Sequence, residues 1–260
     1  MLQLENIHIS FTNAHKEICY LLNGVNLNVK KGIVTALIGG NGMGKTTLFN
    51  IISGFEKKYT GNVVFNGKNI RRLSPHRISL LGIGRLFQDG QLMGGLSLME
   101  NMKLASNDTT GERPFSSLLW PKKYIKAEKD KEQKAKEILV RFFGEGNKYM
   151  DLLNSDASTL SYGQQRILSL LRLLMGKNQM LLLDEPTSGI NPYYIAMIEQ
   201  IILELKEKED MAILLIEHNM DFVRKVADVC AYLDKGEIAK VGPTAKVLDD
   251  EEVRKSYLGL

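Results

Sequence analysis

The sequence predicts an α/β fold: a mainly parallel sheet covered by helices on both faces, an antiparallel β portion at the N-terminus, and an all-helical insertion. Three observations carry this. From residue 161 onwards, short apolar runs alternate with helical stretches. A glycine-rich phosphate-loop pattern lies between one such run and one such helix. Between residue 89 and about residue 157 no convincing strand pattern occurs.

The first segment is β-rich. Leu2 and Leu4, then Ile7, Ile9 and Phe11, alternate with one slip of phase, which predicts a strand carrying a bulge. Val25-Asn26-Leu27-Asn28-Val29 alternates cleanly. Ile33-Val34-Thr35-Ala36-Leu37-Ile38 is short, apolar and β-branched, as a buried strand should be. Residues 45–53 lack Gly and Pro and are closed by Gly54, which predicts a helix. Between them, Gly39-Gly40-Asn41-Gly42-Met43-Gly44-Lys45-Thr46 fits G-x-x-x-x-G-K-[ST] and is followed by Thr47.

The residue types explain the chemistry. The glycines let successive backbone N–H groups turn towards one anion without a Cβ in the way. The helix N-terminus behind them adds about half a positive charge. Lys45 would reach the β- and γ-phosphates, Thr46 would ligate Mg²⁺, and Thr47 could hydrogen-bond the α-phosphate. The plain alternative is a glycine-rich turn that merely matches the pattern.

Residues 62–70 predict a strand, an Asn66-Gly67 turn and a short second strand. Ser74-Pro75 opens a short helix that stops at Gly82. Ser97-Leu98-Met99-Glu100 is a capping box, residues 112–119 are expected as a loop, and residues 127–143 as a long Lys/Glu-rich helix with Ile138, Leu139 and Phe142 on its apolar side. Beyond residue 161 come helix 164–175, strand 179–183, helix 192–206, strand 211–216, helix 219–227, strands 229–233 and 237–241, and two short helices. The expected organisation is a core of residues 1–88 and 159–260 with the helical segment 89–158 inserted in it.

A length of 260 residues suits one large domain, or one domain with an insertion. Hydrophobic content of 44% and charged content of 25% are ordinary for a globular protein. The net charge of +4 makes no case for a nucleic-acid partner. Cys19 and Cys230 are isolated, so two reduced thiols in the cytosol are expected. The N-terminus is not expected to act as a signal peptide, and no apolar stretch approaches the roughly 20 residues that span a bilayer. Work at a membrane would need a spanning partner.

Met180-Leu181-Leu182-Leu183-Asp184-Glu185 is an apolar strand ending in two carboxylates. Beside a phosphate loop, Asp184 would hold the Mg²⁺ hydration shell and Glu185 would orient or deprotonate the attacking water. Alone the pattern is weak, because strands often end in acidic turns. In Leu160-Ser161-Tyr162-Gly163-Gln164-Gln165, Ser161 and Gln164 form a capping box, so a well-capped helix is the plain alternative there.

In their order these motifs resemble the ATP-binding subunits of ABC transporters, over nearly the whole chain. The resemblance implies a P-loop NTPase with a RecA-like core. Residues 160–164 resemble the L-S-G-G-Q signature, with Tyr162 replacing the first central glycine. By resemblance, Ser161 and Gly163 bind the γ-phosphate held on the loop of a second, facing subunit, and Gln164 belongs to the same in-trans signature. Gln88, after Leu86-Phe87, resembles the Q-loop glutamine that senses Mg²⁺ and the γ-phosphate. His218 resembles the switch histidine. Ser188-Gly189-Ile190-Asn191 resembles the D-loop, with Asn191 where Asp is commoner. Phe11 takes the place of the aromatic platform for adenine; a core phenylalanine is the alternative.

Leu215-Ile216-Glu217-His218-Asn219-Met220, Tyr162, the long insertion and Tyr257-Leu258-Gly259 narrow the resemblance to the ATPases of branched-chain amino-acid and urea importers. Lipopolysaccharide-export ATPases share some of these features but typically lack so long an insertion. The implied function is ATP hydrolysis that drives transmembrane permease subunits from the inner face of the membrane, as a pair of ATPase subunits, with ATP and Mg²⁺. A soluble ABC-type ATPase is the alternative. Leu92, Met93, Leu96 and Leu98 could line the groove for the permease, or form the core of the helical segment.

Overall fold

The computed structural model describes residues 1–12, 18–89, 92–106 and 121–258. The loop expected at 112–119 and Gly259 lie outside them. Strand β1 (Leu2–Thr12) pairs antiparallel with β2 (Ile18–Val29), and the register shifts between Leu4 and Ile7. Asn6 sits at that bulge with φ 52°. β3 (Val34–Ile38) is buried along its whole length and leads through the glycine loop into α1 (Lys45–Ile52). β4 (Thr60–Phe65) and β5 (Lys68–Asn69) are joined by Asn66 and Gly67, both at positive φ as a tight hairpin turn requires. Helix α2 (Pro75–Leu80) is capped by Ser74.

β6 (Ile83–Leu86) is absent from the sequence expectations, because four residues containing Gly84 and Arg85 carry no strand signal of their own. Helices α3 (Leu98–Leu104), α4 (Pro121–Phe143), α5 (Lys148–Asp151) and α6 (Tyr162–Arg172) follow. α4 begins six residues ahead of the expected start at 127, at a proline suited to a first helical turn. Then come β7 (Met180–Asp184), α7 (Pro192–Glu209), β8 (Ala212–Ile216), α8 (Met220–Val226), β9 (Val229–Asp234) and β10 (Glu237–Pro243). Two helices, α9 (Thr244–Leu248) and α10 (Glu251–Leu258), end the chain.

The chain divides into two compact units. The first comprises Met1–Gln88, Gln179–Ser188 and Ile198–Leu260. It holds an antiparallel sheet ordered β2-β1-β4-β5 and a larger sheet ordered β10-β9-β3-β8-β7-β6, parallel except for edge strand β10. Leu2, Ile7 and Leu22 of the small sheet share one apolar interior with Leu48 and Phe49 of α1 and with Met180, Leu182 and Leu214 of the large sheet. α1 is thereby locked at the C-terminal edge of β3, which fixes the direction of its N-terminus. Cys230 is buried in this unit, and burial pushes its thiol up to about 12.

The second unit comprises Asp89–Asn178 and Gly189–Met197. It reaches beyond the boundary expected at residue 159, because α6 and the turn after it belong with α4: Lys134 donates to the Met175 carbonyl at 3.0 Å. Leu92 and Leu98 are buried, whereas Met93 is 55% exposed, so that set of apolar residues divides between core and surface. Buried Asn101 fastens the segment before α3 by accepting from Met93 N–H at 2.7 Å and donating to its carbonyl at 3.0 Å. Among the described residues no helix is long and apolar enough to cross a membrane.

Candidate active site

The site grows from the end of β3. Gly39 has φ 153°, and a Cβ there would run into the Leu233 carbonyl. Gly44, at φ 92°, takes the N-cap position of α1 without a side-chain cap, which leaves the first-turn N–H groups for an anion. Lys45 is buried, and its ammonium donates to the Gly39 carbonyl at 2.6 Å and the Gly40 carbonyl at 2.8 Å. Burial lowers its pKa, while Glu185 and Asp184 pull the other way.

A cleft of about 640 Å³ opens here, lined by Leu21, Asn41, Gly42, Met43, Gly44, Lys45, Thr46, Thr47, Gln88, Glu185 and His218. Its size is that of a small-molecule site. Glu185 meets two other lining residues there. Its carboxylate accepts from the Gln88 amide at 3.0 Å and stands 3.3 Å from His218 Nε2. Its backbone is in the left-handed region, φ 47°, held by its own N–H donating to the Ile216 carbonyl at 2.9 Å. A non-glycine residue so placed is strained, and such strain collects at functional sites. The structure thus gathers the glycine loop, Lys45, Thr46, Gln88, Glu185 and His218 around one cavity.

Asp184 ends β7 and is buried. Arg85, which no sequence motif singles out, lies beside it: its guanidinium is 3.3 Å from Asp184 Oδ2 and donates to Asn50 at 2.7 Å and Ser53 at 2.8 Å. The same group lies over the Phe87 ring, 4.4 Å from its centroid. Burial holds this guanidinium below its ordinary pKa, against the pull of Asp184. Leu21 was missed as well, since a leucine in a strand reads as core. Phe11 is 56% exposed, which removes the core-phenylalanine alternative, but it is not among the residues lining the cleft.

The signature residues lie in the second unit. Ser161 caps α6 with the expected capping box: Ser161 N–H donates to the Gln164 side chain at 2.8 Å, and Gln164 N–H to Ser161 Oγ at 3.4 Å. Gly163 carries the Tyr194 ring directly above it, so that a Cβ would stand 2.9 Å from Cγ and closer still to the ring edge. Tyr162 lies against Gly189. Asn191 caps the start of α7 by accepting from Tyr194 N–H at 3.3 Å, so its side chain serves the helix. Ser188 donates its N–H to the Glu185 carbonyl at 3.1 Å, within the first unit.

Several known proteins match this chain. A family model described as ABC transporter matches residues 22–188. The probable branched-chain amino acid transport ATP-binding protein LivG of Archaeoglobus fulgidus is 37% identical, covering 92% of this chain and 89% of its own length. The high-affinity branched-chain amino acid transport ATP-binding protein BraF of Pseudomonas aeruginosa is 32% identical, covering 92% and 91%. A nucleotide-free ATP-binding cassette from an ABC transporter superposes with a TM-score of 0.81 at 34% identity, covering 100% of this chain and 99% of that one. A dimeric cassette in a post-hydrolysis state bound to ADP and Pi gives 0.75 at 25% identity, covering 94% and 99%. The chain belongs to the ABC transporter family, as one of its ATP-binding, ATP-hydrolysing cassettes.

Proposed function

We propose that this cassette is the energy-coupling subunit of an importer for branched-chain amino acids or a similar small polar solute, bound through permease subunits to the inner face of the membrane. The cleft that brings Lys45, Gln88, Glu185 and His218 together carries the ATPase part of this reading. The transport names of the relatives support the substrate class.

The geometry of the cleft supports a role for each residue. The loop from Gly39 to Thr47, with Gly40, Asn41, Gly42, Met43 and Gly44 between, wraps the phosphates with its N–H groups, and Lys45 neutralises the β- and γ-oxygens. Phe11, exposed at the end of β1, offers its ring to adenine. Glu185 orients the attacking water and takes its proton, while His218 and Gln88 hold its carboxylate. The donor set fits a divalent cation: Thr46 is exposed at the cleft, Asp184 ends β7, and Gln88 follows the neighbouring strand β6 by two residues. Mg²⁺ bound there would neutralise charge on the transferring phosphoryl group. Ser161 and Gly163 serve the phosphate held by a second ATPase subunit, with Gln164 in the same signature, while Ser188 and Asn191 form the D-loop that contacts that subunit.

The test is Glu185→Gln. ATP should bind with unchanged affinity by calorimetry, while steady-state turnover falls by about 10²–10⁴-fold. Turnover close to that of the unaltered protein would remove Glu185 as the base.

A further inference from the structure

Glu217 follows β8 and is 2% exposed. Its two carboxylate oxygens face different loops. Oε1 accepts from Thr187 N–H at 2.8 Å and from the Thr187 hydroxyl. Oε2 accepts from His218 N–H at 2.8 Å and from Asn219 N–H at 3.1 Å. A carboxylate offers roughly four acceptor sites, so protein donors saturate this one. It has no capacity left for water, metal or nucleotide, which rules out a direct chemical role.

The donors say what it does instead. Two come from the turn just after Glu185, and two from the turn that carries His218. Glu185 itself is in a left-handed backbone conformation that persists only where its surroundings over-determine it. On one side its N–H is held by the carbonyl of Ile216, the residue before Glu217. On the other, Thr187 is anchored to Glu217. The same carboxylate fixes the backbone of His218, whose ring stands 3.3 Å from Glu185. Burying a carboxylate is costly unless every oxygen is hydrogen-bonded, so an apolar residue would serve better if packing were all the position required.

We propose that Glu217 is a positioning residue for hydrolysis: it clamps the turn after Glu185 to the turn of His218 and so sets the approach of the imidazole to the Glu185 carboxylate. This rests on the roles given above to Glu185 and His218. Glu217 never meets the nucleotide, so its removal lowers turnover and spares binding.

The experiment compares Glu217→Gln with Glu185→Gln and His218→Ala in the full chain. Glu217→Gln keeps the shape but turns an amide group towards donors. It should lower kcat at least tenfold with ATP affinity, by calorimetry, within twofold. It should also move the His218 imidazole resonance in proton NMR, assigned by its loss in His218→Ala among the four histidines. Thr187→Val removes only the hydroxyl donor and should lower kcat several-fold, with no added loss when combined with Glu217→Gln. If Glu185→Gln and His218→Ala both retain full turnover, the site roles fail whatever Glu217 does. If those two are inactive while Glu217→Gln keeps its kcat and leaves His218 unmoved, the clamp is overturned. A parallel loss of affinity and kcat also overturns it. Should Glu217→Gln fail to fold, Thr187→Val carries the test, and an unchanged kcat and His218 resonance there overturns the clamp.

Discussion

At the scale of single residues, Gly163 shows how a signature glycine can be required by its neighbour as well as by its ligand. The Tyr194 ring occupies the space a Cβ would need, with Cγ only 2.9 Å from that position. Gly163→Ala should displace Tyr194, whose hydroxyl lies 3.5 Å from Ser161 Oγ, and so disturb the serine proposed to serve the facing subunit. The expected outcome is at least a tenfold fall in ATPase turnover with nucleotide affinity of the isolated chain unchanged. If the collision is the cause, adding Tyr194→Ala in the same chain recovers part of the turnover; no recovery would assign the loss to Gly163 itself. The glycine was legible in the sequence, through its place after Ser161. Its reason was not, because Tyr194 is 31 residues further on and only the fold brings the two together.

At the scale of elements, α1, β6 and β7 are pinned to one another by the Arg85 guanidinium. It links Asp184 at the end of β7 to Asn50 of α1 and to Ser53, the C-cap of that helix. Removing one partner of a buried ion pair leaves the other charge uncompensated and typically costs about 3–5 kcal/mol. Arg85→Met should therefore lower the denaturation midpoint of the chain by a large margin, read by urea titration, and more than Lys31→Met, whose partner Asp210 is exposed. Comparable midpoints for the two variants would contradict a structural role for the buried pair. Helix caps at Ser74, Ser97 and Ser161 were readable beforehand, since a cap is written in residues a few positions apart. β6 was not, because its strand character comes from pairing with β7 and not from its own four residues.

At the scale of the whole molecule, the phosphate loop belongs to one compact unit and Ser161 and Gly163 to the other. The cleft of the first unit is lined without any signature residue. A site completed by a second chain should make association depend on nucleotide. The Glu185→Gln chain should sediment as a monomer without ATP and as a dimer with it; a dimer of equal affinity in both conditions would contradict this. The parallel character of the large sheet was largely evident from apolar runs alternating with helices, and motif order named most residues that line the cleft. The second boundary between the units was not evident, because α6 is assigned by what it packs against and not by where it falls along the chain.

The left-handed backbone at Glu185 also says something about what this protein is not optimised for. A non-glycine residue held at φ 47° costs about 1–3 kcal/mol that glycine at the same position would recover. Glycine there would relieve that strain but remove the carboxylate proposed above as the base. Keeping glutamate there means accepting a less durable fold as the condition of doing work.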